Sequence, residues 1–326
     1  MAVLVLTNSL DATADYLCAK VHAAAVALVR LDSDMDLRRL SLEYRNGKPV
    51  LGIDQATYRP EDFSHVWLRR PEELRLQNQV LGQAEKRHIT EEWKGALEGF
   101  LAHIDVCRWI NHPARNAAAS HKMEQLSRAK SLGFLVPETL ITNKPEAMHD
   151  FWHECEGEVA VKPIFSGYLE RDAPAEDSQV YTNRVQPRHL QSAHSLLPIC
   201  PTLFQRIVRK AMDVRITIVD SAVYPVGITA DDGGRQRLDI RRNNMNDVKY
   251  SMVSVPPELR ARLMELVASY GLRFAAVDMA IDEDGRWFFF EVNPNGQWAW
   301  LDIAGITSIA AGFVRMFSQG KGNRNV

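Results

Sequence analysis

The sequence predicts a mixed α/β protein, and three observations carry that prediction. The chain opens with a strand–helix–strand rhythm, in which apolar runs at residues 3–6 and 27–31 flank the helical pattern of residues 14–26. Helix and strand alternate again through the middle. The last third is a set of short apolar strands that closes on FAAVDMAIDEDGRWFFFEVNPNGQWAW, where Asp284-Gly285 reads as the turn of an antiparallel hairpin.

Taken in order, residues 40–44 and 50–53 read as the arms of a hairpin turning at Asn46-Gly47, and residues 65–68 as a strand ending in Arg69-Arg70-Pro71. Residues 72–110 have a helical pattern. One helix is expected across NHPARNAAASHKMEQLSRAKSLG, with Pro113 in its first turn and Gly133 as its stop. Leu140-Ile141 suggests a short strand, residues 145–154 a helix and residues 158–162 a strand, while the small and acidic residues 172–178 suggest a mobile loop. Strands follow at 203–208, 214–219 and 223–229, then a helix at 257–270, the hairpin, and a final helix at 303–317. The expected units are residues 1–110, 111–200 and 201–326.

Composition narrows the function classes. At 326 residues with 46% hydrophobic content, the chain is too long for one small core. Its net charge is −2 and its basic residues are scattered, which argues against nucleic acid as a partner. Cys18, Cys107, Cys155 and Cys200 are far apart and read as reduced, structural thiols. The opening MAVLVLTNSL lacks a basic flank and reads as a buried strand, and no apolar run is long enough for a bilayer, so a cytoplasmic location is expected.

The chemistry concentrates in the hairpin. Glu291 and Asn293 are two residues apart, which in a strand points a carboxylate and an amide oxygen the same way. Asp278, on the preceding strand, adds a third oxygen donor. Mg²⁺ is bound by few protein oxygens together with substrate phosphates, so a sparse set of this kind implies a nucleotide. The plainer alternative is a pair of solvated strand-end carboxylates. Lys162 ends the apolar strand Val159-Ala160-Val161 and precedes Pro163 and a small loop with Ser166-Gly167 at its tip; an anion would offset the desolvation of its ammonium. Lys122 lies on a helix, where a lysine is ordinarily solvated. Asp213 and Arg215 share one strand face and suit ribose hydroxyls and phosphate, or else form a surface ion pair of little energy. Asp239, Arg241 and Arg242 suit phosphoryl transfer or simply make a charged loop.

The order of these motifs resembles the ATP-grasp superfamily, and within it the graspetide or microviridin-type macrocyclases, the ATP-grasp ribosomal peptide maturases. WLRRPEEL, NHPARNAAASHKMEQLSRAKSLGFLVPETL, VKP, DVRIT, DIRR and EVNPNGQWAWLD carry the resemblance over nearly the whole chain. It implies an ATP-grasp fold, with an N-terminal Rossmann-like pre-ATP-grasp domain and two α+β subdomains clamping ATP. By the same resemblance Lys122 and Lys162 hold phosphates, and adenine lies against Gln205, Arg206, Ile207 and Val208. Asp213 takes the ribose, Arg215 and Arg241 stand near the transferred phosphate, and Asp278, Glu291 and Asn293 bind Mg²⁺. Two departures stand out: Arg206 occupies a hinge position that is often acidic, and the loop after Lys162 is poor in glycine.

The implied activity is Mg-ATP-dependent phosphorylation of an Asp or Glu side chain in a ribosomal precursor peptide with leader and core segments. Attack by Ser, Thr or Lys then closes an ester or amide ring. The implied partner is that peptide, with neither nucleic acid nor membrane, and a homodimer is compatible with it. Two rivals stay open: an ATP-grasp ligase that adds free amino acids to a protein or small-molecule carboxylate, and a nucleotide-binding sensor without turnover.

Overall fold

The computed structural model describes residues 1–72, 74, 76, 80–165, 167–169, 178–230, 238, 239 and 248–319. Its first sheet is parallel, as strands apolar on both faces require. Strand β1 (Ala2–Thr7) buries every residue after Ala2. It is followed by α1 (Ala12–Ala23), which Asp11 starts by accepting the Thr13 and Ala14 amides at 3.0 and 3.1 Å, and by β2 (Leu28–Asp32). Strands β3 (Leu40–Arg45), β4 (Lys48–Ile53) and β5 (Ala56–Tyr58) form a small antiparallel sheet. Asn46 and Gly47 turn its first hairpin with φ of 51° and 81°, the left-handed pair that a two-residue turn needs. Strand β6 (Phe63–Leu68), helix α2 (Gln83–Leu101) and strand β7 (Trp109–Ile110) complete a parallel sheet of order β2-β1-β6-β7.

Helices α3 (Pro113–Ala118) and α4 (Lys122–Ser131) lead into a second sheet. Its elements are β8 (Thr139–Thr142), α5 (Pro145–Glu154), β9 (Val159–Lys162), a small ladder of β10 (Tyr168–Leu169) and β11 (Ser178–Gln179), β12 (Asn183–Arg184), α6 (Pro187–Leu196) and β13 (Thr202–Arg206). The main strand order is β12-β9-β13-β8. The third sheet is antiparallel, of order β16-β15-β14-β17-β18, built from β14 (Lys210–Val219), β15 (Ala222–Ala230), β16 (Val248–Met252), β17 (Phe274–Asp282) and β18 (Trp287–Asn293). Helix α7 (Pro257–Ser269) precedes β17, and α8 (Ala299–Ile303) and α9 (Ile309–Gln319) close the fold. Among the described residues no helix is long and apolar enough to cross a membrane.

Two cores join these layers. Val3, Val5 and Trp67 of the parallel sheet pack with Phe274, Trp298, Leu301 and Phe313 in one core that spans both ends of the chain. In the other, α7 packs with Phe134 beneath β14, β17 and β18.

Three sequence expectations are corrected. Among the described residues the helical pattern of residues 72–110 yields an α-helix at Gln83–Leu101 alone, because Trp109 and Ile110, 4% and 0% exposed, are drawn into pairing with β6. The helix expected across residues 111–133 breaks after Ala118. There Ser120 Oγ bonds back to Asn116 O and the Ala119 carbonyl is taken by a side chain, Gln125. The final helix starts at Ile309 rather than 303, since Asp302 accepts the Ile309 and Ala310 amides, both at 2.8 Å, and so starts a separate helix. Of the loop expected at 172–178, Ser178 begins β11 and the rest lies outside the described residues, as do Ser166, Arg241 and Arg242.

The first and third sheets are stitched by Asn111, 1% exposed, immediately after β7. Its Nδ2 donates to Phe274 O at 2.8 Å and Pro294 O at 3.1 Å, while its Oδ1 accepts from Arg273 N at 2.8 Å and Phe274 N at 3.0 Å. Replacing Asn111 by Ala strips buried backbone groups of partners, and should lower the unfolding free energy by roughly 2–4 kcal/mol. Urea denaturation of the two proteins checks this; a loss below about 1 kcal/mol would contradict it.

Candidate active site

Three strands of the third sheet bring the predicted ligands together. In the register Arg215 of β14 stands opposite Asp278 of β17, and Asp278 opposite Glu291 of β18, so the three lie in one row. Asn293 pairs with Ala276, and Asp213 with Ala280, on the same face. The turn that sets this register is fixed by Asp282, whose Oδ1 accepts Asp284 N at 3.1 Å and Arg286 N at 2.8 Å, with Gly285 at φ 79°.

Strand β18 is not regular. Asp278 pairs with Glu291 but Met279 with Phe289, which leaves Phe290 as an inserted residue, a β-bulge. Phe289 and Val292, three apart, both enter the core beneath the sheet. In a regular strand Glu291 would share the face of Phe289. The bulge turns Glu291 toward the cations instead, and sets the Phe290 ring 4.3 Å from Lys162 Nζ and 6.0 Å from Lys210 Nζ.

The cations come from three elements, α4, β9 and β14. Lys122, the first residue of α4, places Nζ 3.1 Å from Glu291 Oε2 and 3.0 Å from Pro163 O. Arg215 Nη1 meets Asp278 Oδ1 at 2.8 Å. Lys210 Nζ bonds both Asp213 oxygens, at 2.7 and 2.9 Å. Lys162, at the end of β9, donates to Gln205 Oε1 at 2.8 Å, and among the described residues it makes no ion pair. Among the described residues Lys122, Lys162, Lys210 and Arg215 thus gather around Asp213, Asp278 and Glu291, with Asp239 near enough to act on Asp213, a concentration of cations that suits phosphate oxygens.

Titration follows this crowding. Burial pulls Lys162 from its ordinary 10.5 down to about 8, Lys210 and Lys122 add to the effect, and Glu291 and Asp213 oppose it. Burial also drives Asp213 above the ordinary carboxylate value in spite of its bonds to Lys210. For Glu291 burial pushes upward, but Lys122, Lys162 and Arg215 outweigh it and hold the carboxyl low.

The expected hinge is the end of β13. Gln205, 3% exposed, sends its side chain to Lys162 and to Thr139 Oγ1, the latter at 2.9 Å. Arg206 turns away from the site: its Nε meets Glu138 Oε2 at 2.8 Å and its Nη2 meets Glu154 O at 3.0 Å. Ile207 N donates to Glu158 O at 2.8 Å, and Val208 follows beyond the strand end. Asp239, 6% exposed, accepts the Thr182 amide at 2.9 Å.

The donor set suits Mg²⁺. Asp278, Glu291 and Asn293 offer oxygen only, and Asn293 Oδ1, which accepts Asn295 N at 3.0 Å, keeps a second lone pair. Among the described residues no group of three or more His, Cys, Asp and Glu is gathered for a metal. Sequence reasoning missed Lys210 and Phe290. Their signals were a lysine three residues before Asp213 and an aromatic directly before Glu291, in a strand whose bulge no local pattern announces.

Residues 2–117 match the family model of the MvdD pre-ATP grasp domain. Among solved structures, macrocyclase MdnC from Microcystis aeruginosa MRC, bound with precursor peptide MdnA, aligns with a TM-score of 0.82 at 24% identity, covering 98% of this chain and 100% of that one. A RiPP-associated ATP-grasp ligase of Chryseobacterium gregarium, in complex with ADP and a leader and core peptide, gives 0.86 at 25% identity over 100% of both chains. Macrocyclase MdnB from Microcystis aeruginosa MRC gives 0.74 at 25% identity, covering 97% of this chain and 98% of that one. No curated protein matches in sequence. The fold is the ATP-grasp fold, and the resemblance read from the motifs is borne out.

The low value at Lys162 has a measurable sign. Below about 8 folded and unfolded chains both hold the proton; between about 8 and 10.5 only the unfolded chain does, so stability rises with pH across that window. The stability difference between wild type and Lys162→Met should therefore move in favour of wild type from pH 8 to 10.5. Urea unfolding at stepped pH checks it, and a flat difference would refute it.

Proposed function

We propose that this chain is a Mg-ATP-dependent ligase that activates Asp or Glu side chains of a ribosomal precursor peptide as acyl phosphates and closes ester or amide rings with Ser, Thr or Lys. The observation that carries the reading is the row Arg215, Asp278, Glu291 with Lys122 and Lys162 over it, in a fold whose solved relatives include ligases crystallised with precursor peptides.

Lys122 and Lys162 would bind the phosphates, and the backbone of Gln205, Arg206, Ile207 and Val208 the adenine. Asp213 would exchange its bonds to Lys210 for ribose hydroxyls. Asp278, Glu291 and Asn293 would hold Mg²⁺, which when bound neutralises phosphate charge and fixes the orientation of its oxygens. Arg215, drawn from Asp278, would offset charge on the transferred phosphoryl group, with Arg241 assigned on its motif alone. No protein nucleophile is needed: the substrate carboxylate attacks the terminal phosphorus, ADP leaves, and the hydroxyl or amine then displaces phosphate from the acyl carbon. Catalysis is positional and electrostatic, and leader binding at a distance can hold the core in place.

Incubation with ATP, Mg²⁺ and the precursor peptide encoded beside the gene should give successive losses of about 18 Da, with one ADP per linkage. Glu291→Ala should abolish those losses while leaving a folded protein. A mass gain would mark ligation of a free amino acid, retained phosphate a phosphotransferase, and AMP a different activation chemistry; each would displace this reading.

A further inference from the structure

Among the described residues strand β18 is the outer strand of its sheet, so one row of its backbone groups meets no neighbouring strand there. At Phe289 that row is covered by main chain, where the amide donates to Leu135 O at 2.8 Å. At Val292 it is covered by a side chain. Gln125 Oε1 accepts Val292 N at 3.0 Å and Gln125 Nε2 donates to Val292 O at 2.9 Å, the pair of bonds that a strand would make. The same Nε2 reaches Ala119 O at 2.5 Å, at the break between α3 and α4, and Gln125 is 2% exposed.

Val292 lies between Glu291 and Asn293, and Gln125 stands about one turn beyond Lys122 on α4. A single helical turn therefore grips this strand at two points: through Gln125 at the backbone between the two oxygen ligands, and through Lys122 at the Glu291 carboxylate, 3.1 Å away. An amide reads both the N–H and the C=O of one residue, which fixes the position of the helix along the strand as well as its distance. No apolar or singly bonding side chain would do that.

We infer that Gln125 is a positioning residue, which sets Glu291 and Asn293 in register with Lys122 and thereby couples Mg²⁺ binding to phosphate binding. The inference rests on the nucleotide reading given above. A role confined to burying the strand edge would affect folding alone.

Calorimetry of the full chain with ADP, with and without Mg²⁺, separates these roles. Gln125→Met keeps length and helix preference but makes neither bond. It should cut the Mg²⁺-dependent gain in ADP affinity about tenfold or more while metal-free ADP affinity stays within about twofold. An unchanged gain in a folded variant overturns the inference and leaves Gln125 as edge cover. Equal losses with and without Mg²⁺ overturn it as well, since Gln125 would then act on the nucleotide alone. Wild type with no Mg²⁺-dependent gain overturns the nucleotide reading, and the inference falls with it. Should Gln125→Met fail to fold, Gln125→Glu, which can accept Val292 N–H but offers no donor to the two carbonyls, carries the same expectations.

Discussion

The site depends on how the segment from Val292 to Asn295 is held. Its backbone groups find partners in side chains remote in sequence: Gln125 for both groups of Val292, Asn111 for Pro294 O, and Arg69, whose Nη1 meets Asn295 O at 2.5 Å. A backbone group buried without a partner costs more than the bond itself returns, so these contacts act as constraints rather than ornaments. Two of the three oxygen ligands proposed for Mg²⁺, Glu291 and Asn293, belong to or border that segment. Their placement is thus decided jointly by α4, by the chain after β7 and by the end of β6.

The same segment ties the parallel sheet to β18. Arg69 is 2% exposed, with Asp11 Oδ2 3.2 Å from its Nε, and burial pulls its guanidinium down to about 10 although Asp11 opposes the shift. Three residues after Asn295, Trp298 is fully buried and stacks on Phe313 at 5.3 Å, within a core that also takes Val3, Val5 and Trp67. WLRR and NPNGQW, far apart in the chain, are two sides of one joint. The N-terminal sheet shares its core with the third sheet.

What the sequence disclosed was what local chemistry decides. The Asn46-Gly47 turn and the hairpin turn at Gly285 each act within a few residues, so the first hairpin and the apposition of Asp278 with Glu291 were legible, as were β1 and α1 from their apolar patterns. Strand β7 was not, because two residues become a strand only through pairing with β6. Nor was the break at Ala119, whose carbonyl bonds to a side chain six residues on. Within the site, the acidic row could be read from spacing, but the partners of Lys162 and Lys210 could not. Phe290 reaches them through the bulge, and β14 begins at Lys210, four residues before its apolar run.

The bulge at Phe290 divides one strand between two sets of rules. On its N-terminal side Phe289 answers to the packing of Phe134 and Met279; on its C-terminal side Glu291 and Asn293 answer to charge and hydrogen bonding. A strict two-residue alternation would lock these together, so that any accommodation in the core would propagate along the strand into the chemistry. The extra residue works as a phase shifter. A change of size or shape in the aromatic half is absorbed at the extra residue, so the acidic half keeps its aim.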